Sequence, residues 1–224
     1  SNLGMNYLED WEQRYDLLHP TERIIPFGIS YFNKITKNGL LPKTLNILLA
    51  GTHVGKTLLM CNMAAHNFLD GKNVLYITLE MAEEQIGQRI DASILDITLD
   101  ELSIIPKESF KKKIERVKSK STGKLIIREF PTGGASAANF RHLLHELKQK
   151  DKFVPDIIYI DYINICQSYR YKSNQNINSY TLVKSIAEEL RALAVEFKVP
   201  VVSATQVNRG GYNSSDVGMD DVSE

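Results

Sequence analysis

The stretch AGTHVGKT, at positions 50–57, combines residue types that bind the phosphates of a nucleotide. Glycine lets backbone N–H groups converge on phosphate oxygens, and Gly55 has that place here. Lys56 supplies a charge that can reach the outer phosphates, and Thr57 supplies a hydroxyl for a magnesium ion. An apolar run precedes the stretch and a helix-like run follows it, so these groups would lie at a helix N-terminus, which attracts anions. This context favours phosphate binding over an ordinary glycine turn with a surface lysine.

The match to the pattern GxxxxGK[ST] has one departure. Ala50 stands where the first glycine is expected, and the adjacent Gly51 supplies backbone flexibility instead. We predict a nucleotide site formed by Gly51, Thr52, His53, Val54, Gly55, Lys56, Thr57 and Leu58.

Polar side chains follow three further apolar runs, at points where strands of a sheet would end. IIYID ends in Asp161, a carboxylate that could help to hold magnesium beside the nucleotide. Glu80 follows NVLYITL, and Gln206 follows PVVSAT. Because the carboxyl ends of parallel strands line the crevice where ligands bind, both side chains could face the nucleotide. The alternatives are that Glu80 caps the helix after it and that Gln206 only begins a loop.

Short apolar and β-branched runs alternate with helix-like segments along the chain. The predicted strands are residues 45–50, 73–79, 124–130, 156–160 and 200–205. The predicted helices are residues 56–69, 83–95, 107–120, 137–150 and 177–198. Runs of near-continuous hydrophobicity are typical of strands buried on both faces of a parallel sheet. The alternation predicts the α/β class, with a mainly parallel sheet flanked by helices.

A separate amphipathic segment precedes the first strand. Apolar side chains in residues 5–18 recur every three or four positions, which predicts a helix that ends before Pro20. These side chains are Leu8, Trp11, Tyr15 and Leu18. The apolar stripe could pack on its own domain or dock on a neighbouring subunit, and the pattern leaves both options open.

Composition and charge constrain the setting more than the function. The chain has 224 residues, of which 43% are hydrophobic, enough for one substantial core. Basic and acidic residues both number 27, so net charge gives no argument for a nucleic-acid or membrane partner. Cys61 and Cys166 lie far apart in apolar runs, which predicts buried thiols in a reducing compartment. Because the sequence has no signal-peptide pattern and no apolar run of about 20 residues, we expect a soluble intracellular protein.

Four motifs occur in order along the chain: GTHVGKT at 51–57, TLEMAEEQIGQRIDA at 78–92, IIYIDYINI at 157–165 and VVSATQVNR at 201–209. In this order and spacing they resemble the RecA-like motor domain of DnaB-type hexameric replicative DNA helicases. The resemblance extends from about Ile25 to the end of the chain. The elements LEM, IDY and QVNR make it far more specific than a P-loop alone.

The resemblance implies a role for each polar residue named above. Lys56 and Thr57 match the Walker A lysine and magnesium-binding hydroxyl, and Asp161 matches the Walker B aspartate. Glu80 matches the glutamate that activates water, and Gln206 matches the glutamine that senses the γ-phosphate. The implied cofactors are ATP and Mg²⁺, with Glu80, Lys56 and Gln206 catalytic and with Thr57 and Asp161 at the metal.

The resemblance also implies partners. Two loops, residues 168–179 with Arg170 and Lys172, and residues 209–218 with Arg209, match loops that follow single-stranded DNA in the central channel of relatives. Without the resemblance we would interpret both as polar surface loops. Further implied partners are other copies of the chain in a hexameric ring, primase and a helicase loader. The implied location is the cytoplasm, that of the host cell if the source is a phage.

Two further parts of such a motor are known in relatives, an arginine finger that completes a neighbour's ATP site and an N-terminal domain that forms a collar. The resemblance implies that both would lie outside residues 1–224. We therefore expect residues 1–24 to form a linker helix and connecting segment, and residues 25–224 to form a motor domain truncated at its C-terminal end. The position of the first helix favours docking on a neighbouring subunit.

Other functions and other candidate sites remain open. A RecA-type recombinase, another DNA-dependent ATPase or a nucleotide-gated assembly module without motor activity could share these motifs. The lysines at 111–113 fit the solvated side of an amphipathic helix better than a DNA-binding surface. His142 and His145 are three residues apart but have no evident third metal ligand, so we favour helix surface or packing for them.

Overall fold

The structure is a computed structural model, and it describes residues 4–18, 24–37, 39–51, 55–171 and 178–206. Within these ranges, no helix combines the length and the apolar character that crossing a membrane would require.

The described part of the chain alternates strands and helices as predicted. Its strands are β1 Leu45–Ala50, β2 Val74–Thr78, β3 Leu125–Glu129, β4 Ile157–Asp161 and β5 Val201–Gln206. Its helices are α1 Trp11–Leu18, α2 Ser30–Ile35, α3 Lys56–Leu69, α4 Glu83–Leu95, α5 Leu99–Ile104, α6 Lys107–Lys120, α7 Ala137–Asp151 and α8 Ser179–Phe197. A short 3₁₀ helix, Ile163–Ile165, follows β4. The predicted strands are confirmed to within one residue at each end.

The sheet is parallel, with the strand order β1-β5-β4-β2-β3. All five carboxyl ends therefore meet at one edge. Ala50 at the end of β1 lies opposite Gln206 at the end of β5, and Asp161 at the end of β4 lies opposite Thr78 at the end of β2. This register brings the segments that carry the predicted site residues to the same edge and confirms the α/β fold class.

Helices cover both faces of the sheet, which explains the unbroken hydrophobicity of its central strands. One face packs against α7 and α8 through side chains such as Phe140 and Leu190. The other face packs against α3 and α4 through Met60 and Ile86. Successive residues of β2 and β4 point alternately into the two layers, and every residue of both strands is buried.

The structure corrects the predicted helices in two ways. The six-residue helices α2 and α5 were not predicted, although α5 carries a capping box in which Thr98 and Glu101 bond each other's backbone N–H groups. The first helix begins at Trp11, so the predicted start at residue 5 is wrong. Residues 7–10 form a turn instead, in which the Asn6 amide oxygen accepts from the Leu8 N–H at 3.2 Å and the Asp10 carboxylate accepts from the Asn6 N–H at 2.7 Å.

The apolar side chains of the predicted stripe are largely open to solvent. Each is more than half exposed, and these are Leu8, which precedes α1, and Trp11, Tyr15 and Leu18 on it. A large apolar surface at this end of the chain is therefore accessible.

The chain between α1 and β1 is bonded into the domain. Ile25 and Leu40 exchange backbone hydrogen bonds of 3.0 and 2.8 Å. Asn67, fully buried on α3, donates to the Pro26 carbonyl at 2.7 Å and accepts from the Tyr159 hydroxyl at 2.6 Å. One amide thus connects this segment, a helix and a central strand.

Both cysteines are free and buried, as predicted. Burial raises the pKa of the Cys61 thiol to about 11 and that of the Cys166 thiol to about 12. Both therefore stay protonated and unreactive at neutral pH.

We expect Asn67→Ala to lower the free energy of unfolding by about 2 kcal/mol or more, because it removes the bonds to the buried Tyr159 hydroxyl and to the partly buried Pro26 carbonyl. Urea denaturation measures the change. Asn62→Ala is the matched control, since Asn62 lies on the same helix but is exposed, and it should cost less than about 0.5 kcal/mol. Equal costs for the two variants would contradict the role assigned to Asn67.

Candidate nucleotide-binding site

The loop after β1 has the backbone that a phosphate-binding turn requires. Gly55 immediately precedes α3 and has a φ of 88°, in the left-handed region where other residues are strained. Gly51 is buried at the end of β1. The first N–H groups of α3 have no partner within the helix and can bind an anion. Thr52, His53 and Val54, also predicted to bind nucleotide, lie outside the described residues.

Lys56 is the first residue of α3, and its side chain is enclosed. Only 9% of the residue is exposed, and its Nζ lies 4.7 Å from the centroid of the Tyr162 ring. Burial lowers the pKa of Lys56, while the carboxylates of Glu80 and Asp161 act in the opposite direction. Lys56 therefore lies within electrostatic range of both predicted carboxylates, although the three residues are far apart in sequence.

Asp161 ends β4 and is almost fully buried. Burial raises the pKa of its carboxyl, whereas the hydroxyls of Thr57 and Tyr76 lower it. The Tyr76 hydroxyl donates to Oδ2 at 3.0 Å. The Thr57 hydroxyl lies near this carboxyl, and Oδ1 has no hydrogen-bond partner among the described residues. The peptide bond between Asp161 and Tyr162 is cis.

The backbone around Glu80 is held rigidly just beyond β2. The Thr78 hydroxyl donates to the Met81 carbonyl at 2.8 Å and accepts from the Met81 N–H at 3.2 Å. The Thr132 hydroxyl donates to the Leu79 carbonyl at 2.6 Å. Both neighbours of Glu80 are therefore bonded, while its own side chain is exposed.

Glu80 does not cap the helix that follows it. The N-cap of α4 is Ala82, and the acidic residues in its first turn are Glu83 and Glu84. Glu80 instead contributes to the electrostatic environment of Lys56 and Asp161. Its turn is also bonded to the end of β4, since the Leu79 N–H donates to the Asp161 carbonyl at 3.0 Å.

Gln206 is the last residue of β5, paired with Ala50 at the start of the phosphate-binding loop. Its neighbour Thr205 is buried, and the Thr205 hydroxyl donates to the Asn164 side-chain oxygen at 2.7 Å. Asn164 lies three residues after Asp161, so the end of β5 is connected both to the loop and to the segment that follows the carboxylate.

The residues at this edge fit a magnesium ion bound together with a nucleotide. Mg²⁺ is usually held by one or two carboxylates together with phosphate oxygens and water. Asp161 offers a buried oxygen without a partner among the described residues, and the Thr57 hydroxyl lies near the same carboxyl.

Within the described ranges, no three His, Cys, Asp or Glu side chains form a metal-binding group. His145 packs against Phe197, and His142 lies 3.8 Å from Glu146.

Leu58, the last residue of the predicted nucleotide site, is half exposed on α3. Together with Asn62 and Arg89 it lines a surface groove of about 350 Å³ that continues along α4 and α5.

The three predicted DNA-binding residues are Arg170, Lys172 and Arg209. Lys172 and Arg209 lie beyond the described ranges. Arg170 is engaged within the domain, because its guanidinium bonds Glu188 and lies 3.8 Å from the buried carboxylate of Glu189. The Arg170 side chain remains partly exposed in this pairing, and its contact with DNA stays a prediction.

Glu189 fixes the segment that follows β4 and the 3₁₀ helix. Its carboxylate, which is 1% exposed, accepts a short hydrogen bond from the Ser168 hydroxyl and a 3.3 Å bond from the Tyr169 N–H. Ser168 is itself buried. Three consecutive residues of this segment, including Arg170, thus contact one carboxylate on α8.

The sequence of the chain is similar to those of known proteins. Residues 25–217 match the family described as the DnaB-like helicase C terminal domain. The chain belongs to this family. It is 48% identical, over its whole length, to the DnaB-like replicative helicase of Enterobacteria phage T4, and it spans 48% of that protein. It is 26% identical over 94% of its length to the replicative DNA helicase DnaB of Helicobacter pylori strain 26695, of which it spans 43%.

Solved structures of similar proteins share the fold. The chain is similar to a DnaB-like replicative helicase studied with primase, with a TM-score of 0.72, 18% identity, and coverage of 95% of this chain and 52% of that one. It is also similar to a second solved structure, described as an ATPase domain, with a TM-score of 0.72, 19% identity, and coverage of 96% and 76%. The chain spans about half the length of the curated relatives that it matches.

Two residues at the site were not predicted from the sequence. Tyr162 lies against Lys56, and its position directly after Asp161 could have suggested it. Tyr76 contacts Asp161 from the middle of an apolar strand, where a tyrosine is ordinarily interpreted as core. Nothing in the sequence pattern distinguishes it.

We expect Glu189→Gln to lower the free energy of unfolding by about 1–3 kcal/mol, because an amide N–H₂ replaces an oxygen that faces hydrogen-bond donors in a buried position. Urea denaturation of the chain measures it. Glu188→Gln is the matched control, since Glu188 pairs with the same arginine at the surface and should cost about 0–1 kcal/mol. A larger loss in Glu188→Gln would contradict the anchoring role of Glu189.

Proposed function

We propose that the chain is the ATP-hydrolysing motor domain of a replicative DNA helicase, which couples hydrolysis to translocation on single-stranded DNA and to duplex unwinding. One observation carries the proposal. Lys56, Glu80 and Asp161, which come from three separate segments, lie within electrostatic range of one another at the carboxyl edge of the sheet. Family membership supports the same function, because the relatives are named as replicative helicases.

In the proposed site, Lys56 binds the outer phosphates, and its enclosure strengthens that attraction because little water competes. Thr57 and Asp161 would hold Mg²⁺, which would supply positive charge to the phosphates. Glu80 orients the attacking water and accepts its proton. Hydrogen bonds on both sides of Glu80 hold its backbone in place, while its exposed side chain can reach the solvent that supplies water.

The same edge offers a route from the nucleotide to the DNA-binding loops. We propose that Gln206 senses the γ-phosphate and that its movement displaces the loop after β5. The Thr205–Asn164 bond would carry the same movement to the segment after β4, which leads into the loop at 168–179. Two loops would then respond to one chemical event.

We also propose a nucleic-acid partner and protein partners for the chain. We propose single-stranded DNA as the polymer substrate, with Arg170, Lys172 and Arg209 contacting the phosphate backbone of the DNA. We further propose a hexameric ring in which a neighbour supplies an arginine to the site, with primase and a helicase loader as partners in the cytoplasm of the host cell. The exposed stripe of α1 supports docking of residues 1–24, the proposed linker, on a neighbouring subunit. Residues 25–224 would form the motor domain.

We expect Glu80→Gln to reduce the ATPase turnover number about 100-fold or more while the affinity for nucleotide stays near wild type, because the amide cannot accept the proton. Steady-state hydrolysis and binding of a fluorescent nucleotide measure the two quantities. Lys56→Ala should lose both binding and turnover. Glu84→Gln, at an exposed acid in the first turn of α4, is the matched control and should behave as wild type. Normal turnover in Glu80→Gln would reject Glu80 as the base.

We expect single-stranded DNA to stimulate ATP hydrolysis, and rising salt to weaken the stimulation because binding displaces counterions. The Lys172→Ala and Arg209→Ala variants should need more DNA for half-maximal stimulation. Lys111→Ala, on the solvated face of α6, should not.

Two outcomes would oppose the motor. Stimulation absent from the wild-type protein would favour a nucleotide-gated assembly module. Stimulation without unwinding of a forked duplex would favour a recombinase.

A further inference from the structure

Tyr76 is a fully buried tyrosine at the centre of β2, and its hydroxyl is directed at Asp161. That hydroxyl donates to Asp161 Oδ2 at 3.0 Å and accepts a 3.7 Å contact from the Cys61 thiol. The Tyr76 ring stacks on Tyr159, its partner in the neighbouring strand, with centroids 5.8 Å apart and planes inclined by 18°. The ring is therefore held on several sides, and its oxygen has a defined position.

The register of the sheet explains how Tyr76 reaches the carboxylate. Tyr159 and Asp161 are two residues apart on β4, so their side chains lie on the same face. Tyr76 is paired with Tyr159 and extends along that face toward the end of β4. Among the described residues, Oδ1 of Asp161 has no hydrogen-bond partner while Oδ2 is occupied by Tyr76. The two oxygens of one carboxylate thus have different environments.

We propose that Tyr76 is a positioning residue that fixes the Asp161 carboxylate so that its free oxygen, Oδ1, is presented to the Mg²⁺ of the nucleotide complex. The inference rests on the proposed function of the site. A carboxylate torsion is soft, so without an outer contact the group would sample several orientations in its pocket. Outer hydrogen bonds of this kind orient metal ligands, and their loss typically weakens metal binding about 10–100-fold.

Tyr159 provides an internal control for this role. It is equally buried on the neighbouring strand, it belongs to the same stack, and its hydroxyl is also bonded. That bond goes to Asn67 and not to Asp161. Removing either hydroxyl deletes one oxygen from the same layer of the core, but only Tyr76→Phe affects the carboxylate directly.

The test measures binding of a fluorescent ADP analogue to the chain as MgCl₂ is titrated, with a parallel measurement in EDTA. We expect Tyr76→Phe to raise the Mg²⁺ concentration for half-maximal effect about 10-fold or more, while the affinity in EDTA stays at the wild-type value. Tyr159→Phe should leave the Mg²⁺ midpoint unchanged. In an Asp161→Asn background, Tyr76→Phe should have no further effect on the midpoint.

The outcomes separate the inference from the proposed function. Suppose that the wild-type chain responds to Mg²⁺, that Asp161→Asn reduces the response, and that Tyr76→Phe matches the wild type. Then the positioning role alone is overturned. Equal shifts in Tyr76→Phe and Tyr159→Phe, or a loss of affinity in EDTA, would also overturn it, because both indicate a general effect on the core. A wild-type chain that binds nucleotide without any response to Mg²⁺ would overturn the proposed site together with the inference.

Discussion

A buried lysine and a buried aspartate at one edge of the sheet impose the main constraint on this structure. Removing either charge from water is costly unless nearby groups compensate for it. Lys56 and Asp161 lie close enough to favour each other's charged form, and hydroxyls of Thr57 and Tyr76 favour the ionised carboxyl. Compensation is incomplete, because burial still dominates the pKa of both groups and Oδ1 keeps no partner among the described residues. A site with this imbalance is suited to a ligand that brings both negative phosphate and positive metal.

The remaining architecture keeps these groups in place. The parallel register aligns the ends of β2 and β4, and bonds from Thr78 and Thr132 hold the turn that carries Glu80. These bonds hold the backbone of Glu80. Its side chain is exposed, so its carboxylate remains accessible to water. A second buried carboxylate has a structural role. Glu189 accepts a hydrogen bond from the buried Ser168 hydroxyl and so anchors the segment that starts at Ser168. Arg170 belongs to that anchor, so its charge is already engaged within the domain.

Much of the fold was predictable because its signals are local. Strands buried on both faces produce continuous apolar runs, and each of the five runs became a strand. The positions of α3, α4 and α6 followed from helical patterns with clear ends. Short helices were harder, because six residues give little periodicity, although Thr98 and Glu101 carried a capping signal for α5. The start of α1 was also hard to predict, because the apolar spacing from Leu8 to Trp11 continues through the turn that precedes the helix.

The sequence by itself determined the types of group at the site and the strand ends that carry them. Lys56, Thr57, Glu80, Asp161 and Gln206 were all predicted from motifs and their order. Tertiary structure decided which hydrogen bonds and opposite charges stabilise these groups. Partners from distant strands and helices leave no periodic signal along the chain, so the sequence pattern does not reveal them. The Tyr76–Asp161 bond depends on the pairing of β2 with β4, and the engagement of Arg170 depends on how α8 packs beside the segment after β4. Each is a contact between elements, so it exists only once the sheet and its helices have assembled.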